Sequence, residues 1–335
     1  MSCRVLHPGV LTTVQDRGRI GHQRMGVPVS GAMDQLSLRI ANLLVGNDET
    51  AAALELTLVG PTLRFDERTL IAFAGAEIGA YVDGTRIPAW RPVCIAAGSI
   101  VTTEAASRGC RAYLAVGGGI DVPSVLGSRA TYGRAALGGL DGRALRRGDL
   151  VPCGAPSELS RRIAAAILEA TARQGRVAVA SWGAAATLAT FFRSGNGIRL
   201  LEDEHTRMLT SESLERLWSA EFRVGAQSDR MGYRLEGPAL ELTTSIEMLS
   251  EAVAFGTVQL PPGGSPIVLM ADRQTTGGYP RIGDVASIDL PLVAQLRPGD
   301  RVRFRPISLD EAQRLYLARE DDIAQARMAI ALRHR

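Results

Sequence analysis

The sequence contains no lysine, because all 38 basic residues of the 335-residue chain are arginine. Codon bias in a GC-rich genome is the simplest cause, but the chemical consequence holds whatever the cause. Without lysine the chain cannot form a Schiff base, supply the lysine of a phosphate-binding loop, or carry biotin on its own side chain. Any cation that binds a carboxylate or phosphate here must be an arginine, whose planar guanidinium suits bidentate contacts.

Cysteine, histidine and aromatic residues are also scarce. The four cysteines include no Cys-x-x-Cys pair and the four histidines show no metal-ligand spacing, so we expect neither a metal nor a disulfide framework. Aromatic residues make up 5% and the net charge is +3, which argues against a nucleic-acid partner. No apolar run approaches the length of a membrane span and the N-terminus lacks a signal-peptide core, so the sequence predicts a cytoplasmic protein without a membrane partner.

Short apolar segments between turn signals predict a fold that is mainly β with a few helices. The strand candidates fall into two β-rich regions, one on each side of a helical segment, and a final helical segment follows them. The predicted organisation is a first β-barrel domain with an inserted helix at residues 1–154, a helical connector at 155–175, a second β-barrel domain at 176–306, and a C-terminal helix at 307–335.

Capping residues place the helices within this organisation. Asp34 can cap the inserted helix. Ser157 can cap the connector helix, which is predicted to extend from about Glu158 to Gln174 with an apolar face that ends at Ala170. A short helix is predicted near Ser211, and a capping-box spacing at Ser308 begins the last helix. We expect that last helix to break or fray at residues 319–322, where four charged residues follow one another.

The two halves share a weak internal sequence similarity. Residues 30–33 and 228–231 both have the pattern Ser-x-x-Met, and residues 60–63 and 237–240 both have Gly-Pro-x-Leu. The two intervals differ because the first half inserts a helix. A diverged duplication of one β-barrel unit accounts for the similarity, and chance is the alternative.

A polar segment at residues 271–280 is the most informative stretch of the chain. It follows an apolar run that predicts a buried strand, and its side chains supply donors and acceptors of both charges. Its paired glycines allow the backbone to approach a ligand closely. A tight turn closed by Tyr-Pro is the alternative, although a plain turn needs fewer functional groups. The predicted catalytic residues are Asp229, Asp272, Gln274, Thr275 and Thr276.

Three further segments combine a hydroxyl or amide, a carboxylate and glycine, and with the 271–280 segment they suggest a shared cleft. They are residues 12–19, 26–34 and 227–233. Structural alternatives stay open: Asp34 as a helix cap, Asp16 and Arg17 as a solvated turn, and Ser228-Asp229 as the start of a β-turn. The predicted substrate-binding residues are Arg17, Ser30, Asp34, Ser228, Arg230, Gly277, Gly278 and Tyr279.

Five ordered blocks of the sequence resemble the signature blocks of a known family. They are residues 13–19 (TVQDRGR), 26–34 (GVPVSGAMD), 41–47 (ANLLVGN), 228–232 (SDRMG) and 274–280 (QTTGGYP). The family is that of the 5-oxoprolinase C subunit, also called allophanate hydrolase subunit 2, KipA-like, or biotin-dependent carboxyltransferase family protein. The resemblance extends from residue 4 to about residue 306 and excludes the C-terminal helix. It implies two cyclophilin-like β-barrel domains, in agreement with the two β-rich regions.

The resemblance also implies partners. Members of the family usually work with a smaller companion, the 5-oxoprolinase B subunit, which is also called KipI-like or allophanate hydrolase subunit 1. A third protein, the A subunit, completes the ATP-dependent opening of 5-oxo-L-proline to L-glutamate. Related domains form the carboxyltransferase part of urea carboxylase, and others are named as antagonists of a sporulation-kinase inhibitor.

Three functions are therefore compatible with the sequence. The first is a subunit of an ATP-dependent 5-oxoprolinase, active only with partner subunits, with ATP bound with or by a partner because the phosphate-loop lysine is absent. There Arg17 or Arg230 would hold the substrate carboxylate, Asp229 or Asp272 would act as base, and the 275–278 backbone would stabilise negative charge. The second is a carboxyltransferase component of the urea or allophanate pathway that receives carboxy-biotin from another chain. The third is a KipA-like regulatory binding protein.

Overall fold

The computed structural model describes residues 1–171, 175–184, 197–244 and 248–335 of the chain. Contacts between residues divide the chain into two compact units, each built from segments that are not continuous in sequence. Unit 1 comprises Met1–Arg19, Asp34–Phe192 and Asp322–Arg335. Unit 2 comprises Ile20–Met33 and Arg193–Asp321.

Unit 1 contains two six-stranded sheets. Its strands are β1 (Ser2–His7), β2 (Leu11–Gln15), β3 (Ala53–Thr57), β4 (Thr62–Phe65), β5 (Thr69–Glu77), β6 (Ala80–Val82), β7 (Thr85–Ile87), β8 (Val93–Ile95), β9 (Ser99–Thr103), β10 (Arg108–Val116), β11 (Leu150–Pro152) and β12 (Val177–Val179). The strand orders are β11-β1-β4-β9-β6-β7 and β12-β8-β5-β10-β3-β2.

The long strands β5 and β10 lie at the centre of the second sheet because nearly every side chain in them is buried. They pair antiparallel, and their register shifts between Arg108 and Ala112. Gly75 allows the close approach at this bulge: its φ is +100°, and a Cβ there would lie 2.4 Å from the Arg111 carbonyl oxygen. Helix α1 (Gln35–Leu44), nine of whose ten residues are buried, packs on these strands.

Unit 2 is built on one eight-stranded sheet and a separate two-stranded ribbon. Its strands are β13 (Ile198–Leu201), β14 (Phe222–Val224), β15 (Gly232–Glu236), β16 (Glu251–Ala252), β17 (Thr257–Gln259), β18 (Ile267–Leu269), β19 (Thr276–Gly277), β20 (Arg281–Val285), β21 (Arg301–Val302) and β22 (Phe304–Pro306). The large sheet has the order β21-β14-β15-β18-β17-β20-β13-β22, and the ribbon pairs β16 with β19. Phe222 and Phe304, with ring centroids 6.0 Å apart, lie in its core.

Among the described residues the other helices are α2 (Glu158–Ala170), α3 (Ser211–Ser219), α4 (Leu290–Ala294) and α5 (Leu309–Arg333), and short 3₁₀ helices occur at Gln23–Met25, Gly133–Ala135 and Glu204–Met208. The prediction of a mainly β fold with barrel-like sheets and few helices is confirmed. Ser157 caps α2 by accepting the Ser160 N–H at 3.0 Å, as predicted. No helix among the described residues combines the length and apolar character that a membrane crossing needs.

Helix α5 corrects one expectation. It continues without a break through the four charged residues at 319–322. Arginine and glutamate are good helix formers, and Ile323, which follows the four charged residues, is almost fully buried, so burial supports the helix at this point.

The units do not follow the predicted domain boundaries. Strand β12 pairs with β8 inside unit 1, although the sequence predicts that the second β-rich region begins at residue 176. Residues 20–33 group with unit 2, and the last turns of α5 group with unit 1. Residues 172–174 of the predicted connector lie outside the described part of the chain. The domain limits and the duplication both stay predictions.

Candidate functional site

Three of the predicted site residues meet around one carboxylate in unit 2. Asp272 accepts a hydrogen bond from Ser30 Oγ at 2.6 Å, and the Arg230 guanidinium contacts both of its oxygens, at 2.9 and 3.0 Å. Arg230 Nη2 also donates to the Gly31 carbonyl oxygen at 2.6 Å. The exposed fractions of the Arg230 and Asp272 side chains are only 11% and 12%. Three segments that the sequence singled out therefore converge on one buried ion pair.

Backbone pairing sets the position of this cluster. The pairing of β15 with β18 continues past the ends of both strands: the Met270 N–H donates to the Met231 oxygen at 2.9 Å, and the Asp272 N–H donates to the Arg230 oxygen at 2.8 Å. Arg230 and Asp272 thus lie side by side on neighbouring segments. Ser30 reaches them from a left-handed backbone conformation, with φ of +55°.

The charged groups of Arg230 and Asp272 are bound to each other. The fork of Arg230 matches the two carboxylate oxygens of Asp272, which is the strongest geometry for such a pair. Asp272 is therefore better suited to hold the start of the 271–280 segment than to attack a substrate, and Arg230 is better suited to bind Asp272 than a ligand. Their predicted roles as base and as carboxylate ligand stay predictions.

The rest of the 271–280 segment presents its backbone from the short ribbon. Strand β19 pairs with β16, and the Val253 N–H donates to the Thr275 oxygen at 3.2 Å. Thr276, Gly278 and Tyr279 are exposed, while Gln274 and Thr275 are half-buried. A ligand can therefore reach the predicted polar residues of this segment, apart from Asp272. We call residues 271–280 the accessible segment.

A buried glutamine that the sequence reasoning missed lies beneath this segment. Gln259, which is 1% exposed, accepts a hydrogen bond from Gln274 Nε2 at 3.4 Å and donates to the Tyr279 oxygen at 3.4 Å. A Cβ on Gly277 would lie 2.3 Å from Gln259 Nε2, so only glycine fits there without displacement. The one available signal was a glutamine between two apolar residues, Val258 and Leu260.

Asp229 and Ser228 shape their own turn. Asp229 Oδ1 accepts the N–H groups of Met231 and Gly232, at 2.8 and 3.3 Å, and Ser228 Oγ accepts the Arg234 N–H at 3.1 Å. The Asp229 residue is exposed. These bonds match the β-turn alternative, and the catalytic role of Asp229 stays a prediction.

Asp34 belongs to unit 1, where its carboxylate caps α1. It accepts the Ser37 N–H at 2.9 Å and the Ser37 hydroxyl at 2.6 Å, and it is fully buried. The Asp34 N–H donates to Tyr113 Oη at 2.8 Å, and that hydroxyl donates to Glu55 at 2.6 Å. Burial, followed by the charges of Glu55 and Asp34, raises the pKa of Tyr113 well above its ordinary value. The cap alternative therefore describes the geometry of Asp34.

Arg17 also belongs to unit 1. Its exposed side chain lines a cavity of about 550 Å³ together with Arg39, Asp48 and Arg327, among others. The neighbouring Asp16 is fixed by the Ser128 hydroxyl at 2.6 Å and by the Arg129 N–H at 2.5 Å. Within the described ranges, no three His, Cys, Asp or Glu side chains form a group that could hold a metal ion.

Comparison with known proteins agrees with the family that the five sequence blocks predicted. Residues 25–306 match the family described as "Carboxyltransferase domain, subdomain A and B". The chain is similar to the 5-oxoprolinase C subunit of Escherichia coli K12, with 40% identity over 319 residues, which cover 95% of this chain and 94% of that protein. It is also similar to the 5-oxoprolinase C subunit of Haemophilus influenzae, with 36% identity over 95% of both chains.

A solved structure supports the same assignment. The urea amidolyase of K. lactis superimposes with a TM-score of 0.85 and 30% sequence identity over 97% of this chain. The chain spans only 20% of that much longer protein. With a family match over most of its length and relatives of 36–40% identity across nearly their whole sequence, the chain belongs to the carboxyltransferase domain family, subdomain A and B.

Proposed function

We propose that this chain is the C subunit of an ATP-dependent 5-oxoprolinase, which opens 5-oxo-L-proline to L-glutamate together with the A and B subunits as partners. The observation that carries the proposal is the 40% identity to a 5-oxoprolinase C subunit over almost the full length of both proteins. The urea amidolyase match, in contrast, corresponds to one part of a larger protein. The 5-oxoprolinase relatives therefore fit the chain as a whole.

The reaction requires water to cleave the lactam C–N bond while ATP is cleaved. Transfer of the γ-phosphoryl group of ATP to the amide oxygen makes the ring carbon a better electrophile. Water adds to this carbon, the C–N bond breaks as the nitrogen takes a proton, and a second water releases phosphate from the resulting acyl phosphate. The negative charge that develops on addition needs preorganised donors. In this proposal the donors are the hydroxyls of Thr275 and Thr276 and those backbone N–H groups of residues 275–278 that the ribbon pairing leaves free. Because the chain has no lysine, its residues do not fit the usual phosphate-binding loop, and we assign ATP binding to a partner or to a site shared with one.

The Ser30–Arg230–Asp272 cluster supports this site as a set of positioning residues. It fixes the first residues of the accessible segment through two ionic contacts and one hydroxyl contact. Gln259 and Gln274 then fix the middle of the segment from below. Preorganisation of this kind lets backbone donors stabilise charge without having to reorganise during the reaction.

The second candidate is a carboxyltransferase acting with biotin. The family description and the superposition on the urea amidolyase favour it. Biotin would have to be attached to another chain, because this one has no lysine to carry it. A neutral ureido ring would be recognised by the same exposed threonine and backbone groups, so the two candidates differ in the substrate rather than in the accessible segment.

The test is turnover by the chain co-purified with the partner proteins encoded beside it. We expect glutamate and ADP to form from 5-oxoproline and ATP only when all the partners are present. Gln274→Ala should lower this rate at least about tenfold, while Arg223→Gln, which changes a surface residue of β14, should not. A folded complex without 5-oxoproline-dependent glutamate formation would refute the proposal, and carboxyl transfer from carboxy-biotin to urea would then be measured.

A further inference from the structure

Arg273 is a half-buried cation in the accessible segment that no carboxylate of the described residues neutralises. Its Nε donates to the Val253 oxygen at 3.3 Å, its Nη1 donates to the Met270 oxygen at 3.5 Å, and its guanidinium lies 5.9 Å from the centre of the Phe255 ring. Nη2 has no hydrogen-bond partner within the described ranges. One edge of the guanidinium is therefore held by the protein, and the other is available.

Three other partly buried arginines of unit 2 contact carboxylates. The Arg199 guanidinium lies 2.5 Å from Asp289, that of Arg230 lies 2.9 Å from Asp272, and that of Arg281 lies 3.3 Å from Glu251. For Arg273 the described part of the chain offers no carboxylate oxygen within 4.0 Å. Arg273 differs from these three, and in the sequence it lies between two predicted catalytic residues.

Burial of the Arg273 cation without a carboxylate partner is unfavourable for the stability of the ligand-free protein. Removing a cation from water without a compensating anion is unfavourable, and desolvation lowers the pKa of Arg273 to about 10. The group still carries its charge at neutral pH. The two backbone oxygens and the aromatic ring hold its position but provide no full negative charge. An anionic ligand bound at Nη2 would supply this negative charge, and the guanidinium would already be oriented to bind it.

We propose that Arg273 binds the carboxylate of the substrate, an inference that rests on the proposed action on 5-oxoproline. In this amino acid derivative the carboxylate and the lactam carbonyl flank the same ring nitrogen. Val253 accepts a hydrogen bond from Arg273 Nε and donates its N–H to the Thr275 oxygen, so the guanidinium lies beside this backbone. Arg273 can therefore hold the carboxylate while the 275–278 segment receives the carbonyl. Arg230, the residue first predicted for this role, is already bound to Asp272.

The test compares Arg273→Gln with wild type in the reconstituted complex, using 5-oxoproline and its uncharged amide, 5-oxoprolinamide. We expect KM for 5-oxoproline to rise about ten- to a hundredfold, with kcat changing much less and the amide unaffected. The KM of Arg273→Lys for 5-oxoproline should lie between those of the wild type and Arg273→Gln, because lysine keeps the positive charge but lacks the two-pronged guanidinium. Arg223→Gln is the matched control on the same unit. Equal effects on both substrates, or no effect, would overturn the inference.

A structural measurement separates a binding role from a folding role. Because no carboxylate of the described residues pairs with Arg273, Arg273→Gln should leave the thermal unfolding midpoint unchanged or raise it, and a fall as large as that of Arg230→Gln would assign it a structural role instead. If the wild-type complex does not act on 5-oxoproline, the proposed function is refuted, and the role of Arg273 is tested separately. Calorimetry of the chain with 5-oxoproline and with uncharged 2-pyrrolidinone then decides the inference, which is overturned if the wild type binds the carboxylate no better than Arg273→Gln does.

Discussion

Replacing Asp272 by asparagine should destabilise the protein strongly, because it removes one charge of a buried pair and leaves the other. Arg230 would keep its charge in a site where its side chain is only 11% exposed. Removing one partner of such a pair typically costs about 3–5 kcal/mol. Asparagine has nearly the shape of aspartate but presents an N–H₂ group to a guanidinium, so at least one of the three contacts to Asp272 becomes repulsive.

The assay is thermal and urea unfolding of the wild type and variants. A cost of this size lowers the melting midpoint by roughly 10 °C. The matched control is Glu236→Gln, which breaks a surface pair whose side chains are 62% and 54% exposed and should cost less than about 1 kcal/mol. The double variant Asp272→Leu with Arg230→Met should be more stable than Asp272→Asn, since no buried charge remains. The reasoning is refuted if Asp272→Asn costs no more than the control.

Two further predictions concern the other buried polar groups. Gly277→Ala should displace the buried amide of Gln259 and lower turnover at least about tenfold, whereas Gly263→Ala, whose Cβ meets nothing within 4 Å, should leave turnover unchanged; equal rates for both would contradict the packing argument. Tyr113→Phe should cost about 1–3 kcal/mol in urea unfolding, because the Glu55 carboxylate loses a buried hydrogen-bond donor. The pKa of Tyr113 is raised in the folded state, so its contribution is complete below about pH 10 and is lost as pH rises further. Stability measured from pH 8 to 11 should thus fall less steeply for Tyr113→Phe than for wild type, and parallel curves would count against this.

Local chemistry was enough to predict the longer described helices and the fold class, but not α4. A capping side chain and an apolar face depend only on residues a few positions apart, so Asp34, Ser157 and Ser308 identified three helix starts. The continuity of α5 could not be predicted in the same way, because the burial of Ile323 is a property of the folded chain. The pairing of β12 with β8 is a long-range contact that local patterns do not reveal either.

The sequence predicted which segments form the candidate site, but not which of their side chains contact one another. The sequence identified the segments that contain Ser30, Arg230 and Asp272, and the structure brings these three together. It did not indicate which arginine would be neutralised and which would not. Arg230 and Arg273 are the same chemical group, and only the register of β15 against β18 decides that the first faces a carboxylate. For the same reason a polar residue in β17 gave no sign that it lies under Gly277.

The two-stranded ribbon has a consequence for how the accessible segment exchanges its amide hydrogens. Strands β16 and β19 pair through two residues each, whereas the adjoining sheet has eight strands. So short a ladder can open without unfolding the sheet, because opening it breaks few bonds and exposes little apolar surface. The amides of Thr276 and Gly277 should therefore exchange with deuterium much faster than those of β17 and β18. A ligand bound by residues 275–278 would slow that exchange and leave the rest of unit 2 unchanged.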